Sequence, residues 1–156
     1  MNPSNPYIND ILNQPAALQA ALDHYPAEAL APLADRLQAG EFRRVLLTGM
    51  GSSLNAAHPA WLTLAGLPTP AVFVNAAELL HYGRRMIDGH TLLWINSQSG
   101  ESVEVVRLLE ELQGRRPAFL LSMSNHPESS LARAADLPVD IRAGAEATVS
   151  TKTYIN

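Results

Sequence analysis

The sequence of 156 residues has no cysteine and a single lysine, Lys152, and both scarcities exclude kinds of site. Without cysteine there is no disulfide, no thiolate metal centre and no thiol nucleophile. No apolar run reaches the roughly 18 residues that span a bilayer, and the N-terminus lacks the basic start of an export signal. We therefore expect a cytoplasmic protein with no membrane partner.

Charged residues are also scarce, since they make up only 17% of the chain. Eleven basic residues against fifteen acidic ones give a net charge of −4, with no basic block to neutralise a phosphate backbone. Nucleic acid is therefore not an expected partner. In contrast, 47% of the residues are hydrophobic, which is enough to build one folded domain with its own core.

Strand and helix patterns alternate along most of the chain. Apolar runs typical of buried strands occur at 43–49, 71–74, 91–96, 118–122 and 137–139. Helical spacing lies between and after them, at 53–65, 76–84, 101–113 and 129–135. The alternation predicts an α/β fold, with a five-stranded parallel sheet covered by helices on both faces. Pro138 cannot donate to a ladder, which predicts that the last strand lies at an edge.

Both ends of the chain differ from this pattern. Residues 1–40 form an N-terminal helical segment, in which the pattern from Asn13 to Gln38 is divided at Pro26, and residues 41–156 form the domain. The stretch from Ala147 to Tyr154 is typical of a loop and a capped first helical turn, yet the sequence stops two residues later. We expect a longer parent protein, cut at the start of the domain's last helix.

Three polar loops that follow predicted strands are the candidate site. They contain Gly51, Ser52 and Ser53; Ser97, Gln98, Ser99 and Ser102; and Val149, Ser150 and Lys152. In open α/β sheets, ligands bind at the carboxyl ends of strands, where helix N-termini present unpaired N–H groups. Short loops rich in hydrogen-bond donors suit phosphate groups and sugar hydroxyls.

Simpler interpretations remain open for each loop. Serine after a strand is an ordinary helix N-cap, and glycine permits a tight turn. The loop at 97–102 exceeds that need, because one cap requires one hydroxyl and this loop has three. Lys152 opposes the helix dipole in a first turn, so a bound anion or a neighbouring carboxylate explains it better than solvation.

Other site motifs are incomplete. A dinucleotide fingerprint fails because Leu54 replaces its third glycine and Asn75 stands where an acidic ribose ligand belongs. Glu78 and His81 share a helical face, but a surface pair explains them better than a metal site. There is no phosphate-binding Walker sequence and no arguable Ser-His-Asp set. We expect neither a metal nor a cofactor, and NAD is the weaker alternative.

Taken in order, the motifs resemble those of the sugar isomerase (SIS) domain family. They are LTGMGSS at 47–53, SQSGES at 97–102, GAE at 144–146 and STKTY at 150–154. Within the family, the chain is similar to the first SIS domain of glutamine–fructose-6-phosphate transaminase-like proteins and to phosphosugar deaminases and deglycases. The resemblance implies a flavodoxin-like three-layer α/β/α sandwich.

The resemblance also implies a ligand, a sugar 6-phosphate of the fructose 6-phosphate or glucosamine 6-phosphate class. Ser97, Gln98, Ser99 and Ser102 would hold the phosphate. Ser52 and Ser53 would meet sugar hydroxyls or the phosphate, and Val149 and Ser150 would close the pocket wall. Gly51 and Lys152 complete the set of expected substrate-binding residues. Met50 stands where the transaminase pattern has cysteine, which leaves the identity of the sugar open.

The family's catalytic groups lie in a second SIS domain and a C-terminal tail, beyond Asn156. The resemblance therefore implies a chain that binds without turnover, within an isomerase, aminotransferase or deaminase of amino-sugar phosphates. A non-catalytic phosphosugar sensor that controls an attached domain is the alternative. We also expect a homodimer, because half a protein exposes the apolar surface that its missing partner covers.

Overall fold

The computed structural model describes residues 5–24 and 27–145. The strands are β1 (Arg44–Gly49), β2 (Ala71–Asn75), β3 (Thr91–Asn96), β4 (Phe119–Ser124) and β5 (Leu137–Asp140). The helices are α1 (Pro6–Asp23), α2 (Ala27–Gln38), α3 (Ser52–Ala56), α4 (His58–Leu64), α5 (Ala76–Glu78), α6 (Val103–Leu112) and α7 (Ser130–Ala134). A π turn (Leu79–Gly83) and a 3-10 turn (Arg84–Met86) continue α5. No helix in the described ranges is long and apolar enough to cross a bilayer.

The five strands form one parallel sheet in the order β2-β1-β3-β4-β5. This confirms the predicted fold class and the edge position of the strand that contains Pro138. β2 pairs with one flank of β1 and β3 pairs with the other, so the direction in which strands are added to the sheet reverses at β1. Gly49 therefore pairs with Asn96, and Asn96 pairs with Met123, so the loops that follow these strands start side by side. Such a switch point is where ligands bind in open α/β sheets.

The core lies on both faces of the sheet, because successive strand residues point to opposite sides. Leu46, Leu93 and Ile95 pack with Leu79 and Leu108 under α5 and α6. On the other face the buried cluster is Leu33, Phe42, Val45, Leu47, Ala57, Leu92, Leu121 and Val139. Two covered faces explain why these strands are almost entirely apolar.

Three predicted helices differ in the structure. The helix expected at 53–65 is two short ones, because Pro59 has no N–H and its ring excludes a continuous helix past Asn55. The helix expected at 76–84 changes to π and 3-10 geometry after Glu78. The first helix starts at Pro6, seven residues earlier than predicted, because the side chain of Asn5 accepts the N–H of Tyr7 at 3.0 Å.

Candidate functional site

The loop between β3 and α6, residues 97–102, folds around the hydroxyl of Ser97. The Oγ of Ser97 accepts the N–H of Gly100 at 3.1 Å and lies 3.4 Å from the Oγ of Ser102. The Oγ of Ser99 accepts the N–H of Glu101 at 3.1 Å. These bonds make a compact turn, rich in hydroxyl groups, directly before the first turn of α6.

Hydrogen bonds to the next strand and helix hold this loop from outside. The N–H of Ser97 donates to the carbonyl of Met123 at 3.0 Å, and the N–H of Asn125 donates to the carbonyl of Gln98 at 3.0 Å. The N–H of Leu131 in α7 donates to the carbonyl of Gly100 at 3.2 Å. The loop is therefore positioned before any ligand arrives, which lowers the ordering cost of binding.

Gly100 is required for this packing. Its φ of +65° is in the left-handed region, and a Cβ there would overlap the Oγ of Ser129 and lie 2.5 Å from the Cβ of Ser129. Ser129 is nearly fully buried, and its hydroxyl caps α7 by accepting the N–H of Ala132 at 3.2 Å. Glycine thus lets α7 pack directly against the loop.

The N-terminal end of α6, called its head below, lacks a side-chain cap. Ser102 occupies the N-cap position with φ −62° and ψ 142°, yet its hydroxyl accepts no hydrogen bond from the first turn. Asn75 and Ser129, by contrast, do cap the helices that follow them. In the described part of the chain, the leading N–H groups of α6 therefore have no side-chain acceptor. Together with the positive end of the helix dipole, they favour a bound anion.

The loop after β1 lies next to the head of α6. A Cβ on Gly49 would lie only 2.7 Å from the carbonyl oxygen of Asn96, so the two strand ends approach as closely as glycine allows. Gly51 has a φ of +52°, and α3 begins at Ser52 with no side-chain cap. Ser52 is exposed and Ser53 is half-buried. The structure thus places two groups of candidate residues together at the carboxyl ends of β1 and β3. They are Gly51, Ser52 and Ser53 in the first loop, and Ser97, Gln98, Ser99 and Ser102 in the second.

Two further polar side chains, Glu101 and Asn125, make contacts at this end of the sheet that the sequence did not predict. The Oε1 of Glu101 accepts the N–H of Ser130 at 2.5 Å, and this hydrogen bond is the main reason that the pKa of Glu101 is lowered. The Nδ2 of Asn125 donates to the carbonyl of Gly144 at 2.7 Å, which ties the segment after β5 to the end of β4. The paired serines 129 and 130 were the available signal, since a serine before a helical pattern predicts a cap.

We expect the substitution Glu101→Gln to make stability less dependent on pH. Because folding lowers the pKa of Glu101, the stability from its carboxylate is fully present above the unfolded pKa of about 4.3 and is lost as pH falls through the folded value. Urea unfolding should show a larger wild-type advantage over the variant at neutral pH than near pH 3. Glu110→Gln, at an exposed position of α6, is the control. Equal losses at both pH values would show that the carboxylate charge is not involved.

Three other features of the sequence were considered as sites: the third polar loop, a ribose ligand position and a pair of possible metal ligands. Val149, Ser150 and Lys152 lie outside the described residues. Asn75, which stands where a dinucleotide site needs an acidic residue, accepts the N–H of Ala77 at 2.9 Å and so serves as a helix cap. Near Glu78 and His81, as in the rest of the described chain, no group of three or more possible metal ligands is present.

Comparison with known proteins connects this geometry to one family. The model of the SIS domain matches residues 41–156. The chain is 29% identical over 147 residues to glutamine–fructose-6-phosphate aminotransferase [isomerizing] of Chlamydia pneumoniae, covering 92% of this chain and 24% of the relative. It is 31% identical over 150 residues to arabinose 5-phosphate isomerase KpsF of Escherichia coli, covering 88% and 43%. The chain thus spans less than half the length of either relative.

Solved structures agree on the fold. The Escherichia coli CFT073 protein c3406, in complex with arabinose 5-phosphate, superposes with a TM-score of 0.72 at 27% identity, over 90% of this chain and 75% of that one. The C-terminal domain of glucosamine-fructose-6-phosphate aminotransferase from Francisella tularensis gives a TM-score of 0.82 at 22% identity, over 98% and 44%. The predicted resemblance is confirmed: this chain belongs to the SIS domain family.

Proposed function

We propose that this chain binds a sugar phosphate, with the phosphate group at the head of α6. The observation that carries the proposal is the uncapped first turn of that helix, which directly follows a turn that contains the hydroxyls of Ser97, Ser99 and Ser102. The names of the relatives support it, since one is an isomerizing fructose-6-phosphate aminotransferase and another an arabinose 5-phosphate isomerase. The sugar phosphate complex of a structural relative points to the same class of ligand.

The proposed site holds the phosphate through backbone N–H and hydroxyl groups, because the loop at 97–102 contains no basic residue. The N–H groups of the first turn of α6 donate to the phosphate oxygens, and the hydroxyls of Ser97, Ser99 and Ser102 supply further donors. Gln98 joins them from the same turn. The sugar extends toward Gly51, Ser52 and Ser53 at the neighbouring strand end, and Val149, Ser150 and Lys152 close the pocket.

Binding without turnover by this chain is part of the proposal. Moving a proton between C1 and C2 of a sugar requires a base within hydrogen-bond reach of the substrate. In the described loops after β1 and β3, the one carboxylate is Glu101, and it is already bonded to the N–H of Ser130. We therefore place the chain in a longer isomerase, aminotransferase or deaminase. Residues 1–40 are its N-terminal segment, residues 41–156 are one SIS domain, and a second SIS domain supplies the proton-transferring groups.

Calorimetric titration is the test of this function. We expect fructose 6-phosphate, glucosamine 6-phosphate and arabinose 5-phosphate to bind at least about tenfold more tightly than unphosphorylated fructose, because charge-assisted hydrogen bonds to the phosphate supply most of the affinity. The order among the three identifies the sugar. Equal affinities for fructose and fructose 6-phosphate in a folded sample would contradict the proposal.

We propose in addition that the chain forms a homodimer through its N-terminal helices. An apolar cavity of about 410 Å³ lies between α1, α2 and the sheet, and Leu22 on its rim remains 61% exposed. Leu12 of α1 is 68% exposed. Sedimentation velocity should show a dimer that Leu12→Gln and Leu22→Gln together shift toward monomer. A wild-type sample that stays monomeric at high concentration would overturn this proposal.

A further inference from the structure

A second cavity lies at the C-terminal end of α6, away from the proposed phosphosugar site at its N-terminal end. It has a volume of about 240 Å³ and forms where the 3-10 turn Arg84–Met86 meets the C-terminal end of α6. Its floor is apolar and consists of Ile87, Leu108 and Leu112, all of them buried. A cavity of this size accommodates a small organic molecule with an apolar part.

The rim of this cavity is strongly basic. Arg84, Arg85 and Arg115 against the single carboxylate of Glu111 give a local charge of +2, in a protein whose net charge is −4. Arg84 is held by Glu111, with 2.6 Å between Nη1 and Oε2. Neither Arg85 nor Arg115 forms an ion pair with any residue in the described ranges. Two exposed arginines that line the cavity therefore have no charge partner in the described ranges.

The backbone explains why these side chains converge. The π turn at Leu79–Gly83 and the 3-10 turn after it place two consecutive arginines at one corner of the fold. Arg115 follows α6, where its N–H donates to the carbonyl of Leu112 at 3.2 Å. The carbonyls of Glu110, Glu111 and Leu112 at the end of α6 accept backbone N–H groups. The negative end of the helix dipole remains there, and the positive charges of the arginines oppose it.

We propose that this cavity is a second binding site, for a small organic anion that has both an apolar part and a phosphate or carboxylate group. The anionic group pairs with Arg85 and Arg115, whose planar guanidinium groups match phosphate and carboxylate oxygens. The apolar part covers the floor of Ile87, Leu108 and Leu112. Inorganic phosphate would leave that floor unfilled, and a neutral ligand would leave both arginines unpaired.

Calorimetric titration with phenyl phosphate, benzoate and inorganic phosphate tests the second site on the full chain. We expect phenyl phosphate to bind at least about tenfold more tightly than inorganic phosphate, because its ring covers the apolar floor. Comparison with benzoate identifies the preferred anionic group. The double variant Arg85→Gln/Arg115→Gln should lose about tenfold or more in affinity for phenyl phosphate. Arg36→Gln, on the other face of the sheet, should bind as the wild type does.

A substitution at the head of α6 distinguishes binding at the second site from binding at the phosphosugar site. Ser102→Asp places a negative charge at the proposed phosphosugar site, so phenyl phosphate binding that remains in this variant belongs to the second site. That remaining binding should be lost when Arg85→Gln/Arg115→Gln is added. If instead Ser102→Asp abolishes phenyl phosphate binding and the arginine variant retains it, the anion sits at the head of α6 and the second site is overturned. Phenyl phosphate that binds no better than inorganic phosphate would overturn it as well.

Discussion

Replacing Gly100 by alanine should destabilise the protein by about 2 to 5 kcal/mol. The left-handed φ costs an alanine about 1 to 2 kcal/mol, and forcing its methyl group against Ser129 adds about 1 to 3 kcal/mol. Because Ser129 caps α7 and is buried, the strain spreads to the loop at 97–102 and to α7. We expect the same variant to lose sugar phosphate binding. Urea unfolding and calorimetric titration measure the two effects.

Two other glycines provide matched controls for that substitution. Gly40 has a φ of +72° with open space around a Cβ, so Gly40→Ala measures the backbone cost alone. Gly89 has open space and no left-handed φ, so Gly89→Ala should be neutral or stabilising by less than about 1 kcal/mol. If Gly100→Ala costs no more than Gly40→Ala, the contact with Ser129 does not constrain the loop.

The substitution Ser102→Asp should change stability and binding in opposite directions. Aspartate is a good N-cap, and the backbone of residue 102 already has the extended N-cap conformation. We therefore expect the free energy of unfolding to rise by about 0.5 to 1 kcal/mol, because the carboxylate also lies at the positive end of the helix dipole. The same carboxylate takes the place of the phosphate and repels it. Affinity for fructose 6-phosphate should fall by more than about 100-fold.

Two serine-to-alanine variants separate capping from binding. Ser129→Ala removes a hydroxyl that caps α7, and should lower the free energy of unfolding by about 1 kcal/mol. Ser102→Ala removes a hydroxyl that caps nothing, so stability should stay within about 0.5 kcal/mol while affinity for fructose 6-phosphate falls several-fold. A stable Ser102→Asp protein that still binds fructose 6-phosphate would contradict the proposed position of the phosphate.

The sheet was predictable because its signals are local. Each strand is a short apolar run, and the observed β3 has the predicted bounds. The bounds of α6 were less clear, because Glu101 and Ser102 suit a helix start as well as they suit the loop. The π turn after Glu78 could not be foreseen, since the apolar spacing of a helix does not distinguish its hydrogen-bond pattern.

The candidate site was predictable in composition and not in detail. Counting hydroxyls indicated that the loop at 97–102 exceeds the needs of a cap, but only coordinates show that Ser102 leaves α6 uncapped. The bond from Ser130 to Glu101 joins residues 29 positions apart, and no local pattern reports such a pairing. The collision that keeps residue 100 a glycine likewise depends on the packing of α7.

A crystal structure of this chain with fructose 6-phosphate or glucosamine 6-phosphate tests the central claim most directly. We expect the phosphate oxygens within hydrogen-bond distance of the leading N–H groups of α6 and of the hydroxyls of Ser99 and Ser102. The sugar should extend toward Ser52 and Ser53. A phosphate bound elsewhere, for example between Arg85 and Arg115, with the head of α6 left to water, would contradict the claim.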